Sequence, residues 1–260
     1  MSDVLVTKTG AVGLITMNRP ERHNAFNERM IARLIEALDD VATDPAIRVV
    51  KLAGAGKSFS AGADLDWMRR MADYSHEENL ADARELGRML RLLHALPKPT
   101  IAVVQGSAFG GGVGLVAAAD FAIAAPEAAF SLSEVALGLI PSVISPYVVR
   151  AVGPRAAKAL ALSAARFDAA EALRLGLIDT VVPASELDQT ADALAERLVR
   201  NSPQAMAAAK ELMDFVSTRP IDAETVEGTV ERIARQRASA EGRDGVAAFL
   251  EKRLPRWRKS

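Results

Sequence analysis

Apolar and polar positions along the chain alternate between two periods. Residues 4–7 and 12–18 alternate or run apolar around Gly10 and predict a β-hairpin. A polar, Pro-broken loop follows at residues 18–24. Asn27 then stands as the cap of a helix whose apolar positions, Met30, Ile31, Leu34, Ile35, Leu38 and Val41, keep helical spacing up to Asp44-Pro45. Residues 48–53 predict a short strand that opens into a glycine-punctuated loop, residues 54–64. A helix over about residues 77–96 leads through Pro97-Lys-Pro99 to an almost wholly apolar strand, Thr100–Val104.

Strand and helix therefore alternate, with connections long enough for right-handed crossovers between parallel strands, and the fold class expected is α/β. From Pro154 onward the pattern changes. Strand-like runs nearly vanish after Val181-Val182, and helical spacing dominates residues 187–200, 203–216, 221–237 and 242–253. An α/β core over residues 1–195 with a helical region over residues 196–260 is the expected organisation.

Composition narrows the function classes. With 50% hydrophobic and 25% charged residues the chain reads as a soluble globular protein, and a net charge of −1 gives no bulk attraction to nucleic acid or an acidic membrane. Cysteine is absent, which removes disulfides, thiolate nucleophiles and Cys-based zinc sites. The first residues lack a basic segment followed by an apolar run, and the most apolar stretch, residues 115–125, is broken by Asp120 and too short to span a bilayer. A cytoplasmic protein with neither membrane nor nucleic-acid partners is expected.

Three motifs come close to nucleotide or nucleophile signatures and miss. Gly56-Lys57-Ser58 follows a strand, but the phosphate-loop pattern needs a glycine where Lys51 stands. Gly112-Val-Gly114-Leu-Val-Ala117 lies too far beyond its strand for a dinucleotide fingerprint, and Gly106-Ser107 lacks the spacing of a nucleophile elbow. The three histidines, His23, His76 and His94, are dispersed, so neither a Ser-His triad nor a metal site is expected.

Two glycine loops remain, each directly after a core strand: Ser60-Ala-Gly-Ala-Asp64 and Phe109-Gly-Gly-Gly-Val113. Bare backbone N–H groups at such loops, one of them opening a helix, can hold developing negative charge near the strand C-termini. Glu134, twenty residues past Gly114 in a segment poor in charge, is the carboxylate that proton transfer beside such a hole requires. The plain alternatives are tight turns for the glycines and, for Glu134, a helix-start charge capped by Ser131 or Ser133. Asp64 and Asp120 read as loop braces.

At these residues the chain resembles the crotonase superfamily of enoyl-CoA hydratases and isomerases. The segments that carry the resemblance are Phe59-Ser-Ala-Gly-Ala-Asp64, Pro99-Thr-Ile-Ala-Val-Val-Gln-Gly106, Ala108-Phe-Gly-Gly-Gly112, Ser133-Glu-Val-Ala-Leu-Gly-Leu-Ile-Pro141 and Gly245-Val-Ala-Ala-Phe-Leu-Glu-Lys-Arg253. The resemblance implies a spiral core of ββα units, a C-terminal helical trimerisation region, and a homotrimer or homohexamer. It implies acyl-CoA thioester substrates, with no cofactor beyond the coenzyme A that the substrate carries. By position, the N–H groups of Ala63 and Gly111 form the oxyanion hole and Glu134 transfers the proton. Arg22, His23, Ala61, Asp64 and Leu65 lie where the coenzyme A is held, and Lys252 where one of its phosphates is met. The walls around the acyl chain are expected from stretches such as residues 67–79 and 143–149.

One departure stands out. Hydratases that use two glutamates carry the first at the position of Gly114, which has no side chain here. Single-glutamate Δ3,Δ2-enoyl-CoA isomerases of the superfamily fit that count. Residues 131–147, with Pro141-Ser-Val-Ile-Ser-Pro146, are instead most similar to bacterial hydratases of 3-methylglutaconyl-CoA and its isohexenylglutaconyl homologues. Hydration is therefore the expected reaction and isomerisation the alternative. RNA binding through the basic tail, residues 251–260, is a third and remoter reading.

Overall fold

The computed structural model describes residues 2–258. An antiparallel hairpin, β1 (Val4–Thr9) and β2 (Val12–Met17), leads to helix α1 (Glu28–Thr43) and strand β3 (Val49–Gly54). Helices α2 (Leu65–Met71) and α3 (His76–His94) precede β4 (Thr100–Val104), β5 (Ala108–Phe109), α4 (Gly111–Ala118), β6 (Phe121–Ala124) and β7 (Ala129–Ser131). Then come α5 (Ser145–Ser163), β8 (Phe167–Asp168), α6 (Ala169–Leu175), β9 (Thr180–Val181), α7 (Leu187–Val199), α8 (Pro203–Ser217), α9 (Ala223–Ala238) and α10 (Ala240–Leu250). The main sheet runs β1-β2-β3-β4-β6-β9, parallel from β2 onward, and a small sheet β5-β7-β8 lies beside it.

Strand β4 shows why its sequence is almost unbroken apolar: both faces of a parallel sheet are covered. Ala102 and Val104 face the larger core with α1, α3 and α4, whereas Ile101 and Val103 join Val49 and Ile123 against α7. The helix α7 contributes Leu187, Ala191, Ala195 and Leu198 to that second layer. The boundary expected at 195/196 thus falls inside a helix that is packed on the sheet, and the chain leaves the α/β body only after Val199. Asn27 does cap α1, accepting from the N–H of Met30 at 2.9 Å.

Helices α2 and α5 are among the elements that were not legible in the pattern. Helix α2, seven residues long, is started by the Asp64 carboxylate, which accepts from the N–H groups of Asp66 and Trp67. Helix α5 is two helices joined at Gly153, whose φ of 79° before Pro154 breaks the helical run.

Helices α8–α10 are tied to the sheet by Arg48, which donates to the carbonyls of Asn201 and Trp257, and by Lys210, which meets Asp120 at 2.7 Å. Their outer surface is apolar at Val226, Val230 and Ile233, one helix face, and at Phe249 and Leu250 of α10. The basic tail is folded back. Arg253 and Arg256 pair with Asp244, and Arg258 donates to the Arg200 carbonyl; Lys259 and Ser260 lie outside the described residues. No helix among the described residues is long and apolar enough to cross a membrane, and no cluster of potential metal ligands occurs among them.

Candidate active site

The two glycine loops are stitched together by their backbones. Ser60 donates its N–H to Ser107 at 3.0 Å, and Phe109 returns one to Ser60 at 2.9 Å. A parallel bridge also joins Phe26 to Ala63, through Phe26 N–H to Gly62 and Asp64 N–H to Phe26. In this arrangement each strand partner bonds the residues on either side of Ala63, and the Ala63 N–H has no protein acceptor among the described residues. Gly111, the first residue of α4, likewise has no intrahelical acceptor for its N–H. Two free donors thus lie in two loops held against each other, which is the requirement for an oxyanion hole.

Glu134 belongs to a 3₁₀ turn, Glu134–Leu137, not to an α-helix start. Neither expected serine caps it: Ser133 makes no side-chain cap bond, and the Ser131 hydroxyl donates to the Ala164 carbonyl at 3.1 Å. The turn brings the carboxyl over Gly110. A β-carbon at Gly110, whose φ of +49° already favours glycine, would press on Glu134 Oε1 at 3.0 Å. The other oxygen, Oε2, is buried without a hydrogen-bond partner. Burial pushes the Glu134 carboxyl above the usual carboxylate range.

That shift has a stability consequence. A carboxyl whose pKa is higher folded than unfolded favours the native state below its unfolded value, and the contribution is lost as pH rises through the folded value. Replacing Glu134 by Gln should therefore raise Tm near pH 8 while changing it little near pH 4, a difference that calorimetric melts at the two pH values will measure.

Ala61, Ala63, Leu65, Gly111 and Glu134 line one cavity of about 400 Å³, together with Phe26, Trp67, Met68, Met71, Leu86, Val143 and Ile144. The stretches beginning at Trp67 and Val143 were expected to form its walls, and they do. Arg22, His23, Asp64 and Lys252 do not line it. His23 Nδ1 meets the Ser58 hydroxyl at 3.0 Å, its carbonyl accepts from Ala61 N–H at 2.9 Å, and Arg22 pairs with Asp66 at 3.4 Å. Lys252 follows α10 at a φ of +54°. The Asp64 carboxylate is buried and spent within the protein: Arg19 donates to it at 2.8 Å, which with the α2 cap holds it below its ordinary range despite burial. It braces the Ala63 loop and is not free to meet a ligand.

Gly114 is explained by its surroundings. A β-carbon there would stand 2.3 Å from Cγ2 of Ile144 and 2.9 Å from its Cβ. The space beside Gly114 is filled by an aliphatic side chain from the start of α5. As individual residues, Ile144, Trp67 and Asp82 were not singled out by sequence reasoning. A separate cleft of about 460 Å³ beside α8, containing the Lys210–Asp120 and Arg150–Asp214 ion pairs, holds none of the candidate residues.

Comparison with known proteins points the same way. The family described as enoyl-CoA hydratase/isomerase matches residues 7–260. A short-chain-enoyl-CoA hydratase of Clostridium acetobutylicum is 34% identical, covering 97% of this chain and 96% of its own. A 1,2-epoxyphenylacetyl-CoA isomerase of Escherichia coli is 36% identical, covering 94% and 93%. The crystal structure of an enoyl-CoA hydratase from Shewanella pealeana superposes with a TM-score of 0.96 at 47% identity, over 98% of this chain and 96% of that one.

Proposed function

The chain belongs to the enoyl-CoA hydratase/isomerase family, and from that membership we propose that it adds water across the α,β double bond of a branched acyl-CoA thioester of the 3-methylglutaconyl kind. The observation that carries the reading is the Glu134 carboxyl seated over Gly110, one residue from the free Gly111 N–H, in a cavity that also holds the Ala63 loop.

The Ala63 and Gly111 N–H groups donate to the thioester oxygen and stabilise the enolate, each such donor being worth about 3–4 kcal/mol of barrier. Water bonds to Cβ as the π electrons move toward the thioester. The protonated Glu134 gives its proton to Cα, and its other oxygen takes the proton that the water loses, so one carboxyl completes the cycle. Burial suits it to this part, because a carboxyl raised above its ordinary range keeps a proton to donate up to a higher pH than an exposed one would. No cofactor is needed beyond the coenzyme A of the substrate, for which the loop of Arg22 and His23 and the side chain of Lys252 are the docking groups by position. The apolar face of Val226, Val230 and Ile233 supports assembly into a homotrimer or homohexamer, and the cytoplasm is the compartment we assign.

A second reading is favoured by Ile144 in the Gly114 slot: with one carboxylate, Glu134 moves a proton between Cα and Cγ of a 3-enoyl-CoA. Initial rates with 3-methylglutaconyl-CoA, crotonyl-CoA and 3-hexenoyl-CoA separate the two. We expect the first to be hydrated fastest. Faster hydration of crotonyl-CoA overturns the branched substrate, and conversion of 3-hexenoyl-CoA to its 2-isomer as the fastest reaction overturns hydration.

A further inference from the structure

Trp67 and Asp82 also line the acyl cavity. Trp67 is 4% exposed, and its Nε1, which can only donate, is buried without a partner. The Asp82 carboxyl lies beside the indole, yet the two do not close a hydrogen bond of good geometry. Asn79 offers nothing to fill the gap as a donor, since its amide is committed to the carbonyls of Tyr74 and Ser75. The cavity lining includes no lysine, arginine or histidine. A buried N–H facing an acid group, with no protein acceptor in good geometry, is arranged for an oxygen supplied from outside the protein.

We propose that Trp67 Nε1 and Asp82 form a second polar subsite of the acyl cavity, which binds a carboxyl group carried at the distal end of the acyl chain. The indole N–H donates to one oxygen of that carboxylate, and protonated Asp82 donates to the other. The assignment rests on the acyl-CoA reading of the site and deepens it by naming the residues that meet a distal carboxyl.

The charges around Asp82 suit a shared proton. Burial pushes its carboxyl up, and Glu28 of α1 adds to the shift against the pull of the Trp67 N–H. Glu78 and Glu85 of its own helix and Tyr74 share the groove on its outer side, and the neighbouring guanidinium, Arg70, is held by Glu28 at 2.7 Å. A bound carboxylate raises Asp82 further, because two acid groups in contact retain one proton between them. Binding therefore takes up a proton. The affinity for a carboxyl-bearing chain falls toward tenfold per pH unit above the pKa of Asp82 in the free protein, and that for a neutral chain does not.

Equilibrium titrations with saturated thioesters, which undergo no hydration, test the subsite apart from the chemistry. Glutaryl-CoA, pentanoyl-CoA and 5-hydroxypentanoyl-CoA are titrated between pH 5.5 and 8. Glu134 faces the thioester end common to all three, so affinity ratios isolate the distal group. The expected result is a glutaryl-to-pentanoyl ratio that falls with pH in the wild type and is flat in Asp82→Asn, whose amide still donates. Trp67→Phe should lower that ratio about tenfold, weakening glutaryl-CoA more than pentanoyl-CoA; thermal melts check that it is folded. A ratio below one at every pH, an unaltered profile in Asp82→Asn, or equal weakening of all three ligands by Trp67→Phe overturns the subsite. A pH-independent preference for the hydroxyl chain overturns the carboxyl assignment. Failure of all three thioesters to bind would instead sink the acyl-CoA reading itself.

Discussion

Glu134→Gln is expected to lower kcat about 10²–10⁴-fold on the preferred enoyl-CoA, with KM changed little. The range is what positioned proton transfer contributes in general acid–base catalysis. Gln keeps the shape of the side chain and cannot give up or accept a proton. Because the wild-type Oε2 is buried without a partner and burial already disfavours the charged form, the substitution removes the chemistry without removing a structural bond. The loss will therefore appear in a folded protein of equal or higher Tm. The pH profile supplies the sign. Hydration requires the protonated form, so wild-type kcat/KM should fall as pH rises through the raised pKa of Glu134, while the reverse dehydration, which requires the ionised form, should rise over the same interval. Stopped-assay rates in both directions will read this. Full activity in Glu134→Gln, or a decline in both directions together, removes Glu134 from the proton-transfer step.

What the sequence disclosed and what it hid follow a physical line. Strand β4, the Asn27 cap and the glycine loop each obey rules that act over a few residues, so their patterns were readable. Asp64 was readable as a loop brace; that it caps α2 and takes Arg19 from across the loop was not. Helix α2 was invisible because seven residues hold too few turns to show a period, and its start depends on that cap. Most of the site is tertiary. The Ala63 N–H is free because Phe26, far back in the chain, bonds its neighbours. Trp67 of α2 and Asp82 of α3 are brought to one cavity only by the tertiary fold. Ile144 reaches Gly114 from thirty residues away, and in sequence Gly114 is simply the last glycine of a run.

That contact gives the second large effect. Restoring the carboxylate by Gly114→Glu alone should fail. Gly114 is buried in α4, and the first added carbon would sit 2.3 Å from Ile144 Cγ2, far inside van der Waals contact. Gly→Ala in a helix interior gains about 1 kcal/mol from propensity, whereas overpacking a core costs about 1–3 kcal/mol; Gly114→Ala should therefore be near neutral to moderately destabilising. Gly114→Glu adds a longer side chain and a charge that no cation in the cavity lining meets, so its loss should exceed the overpacking range. Denaturant titration of the two variants will rank them. Trimming the obstacle reverses the order of constraint. Ile144 is 3% exposed, so Ile144→Gly leaves a buried void at a cost of at least the 2–5 kcal/mol typical of buried Ile→Ala, and the Gly114→Glu/Ile144→Gly pair should be more stable than the sum of its single changes. The coupling is expected because each change supplies the volume that the other lacks. If the double variant gains crotonyl-CoA hydration that neither single variant has, then Ile144 is what keeps a second carboxylate from working in this site. Additive stabilities would mean that the introduced carboxylate side chain escapes the slot, and that the aliphatic plug has no part in choosing the reaction.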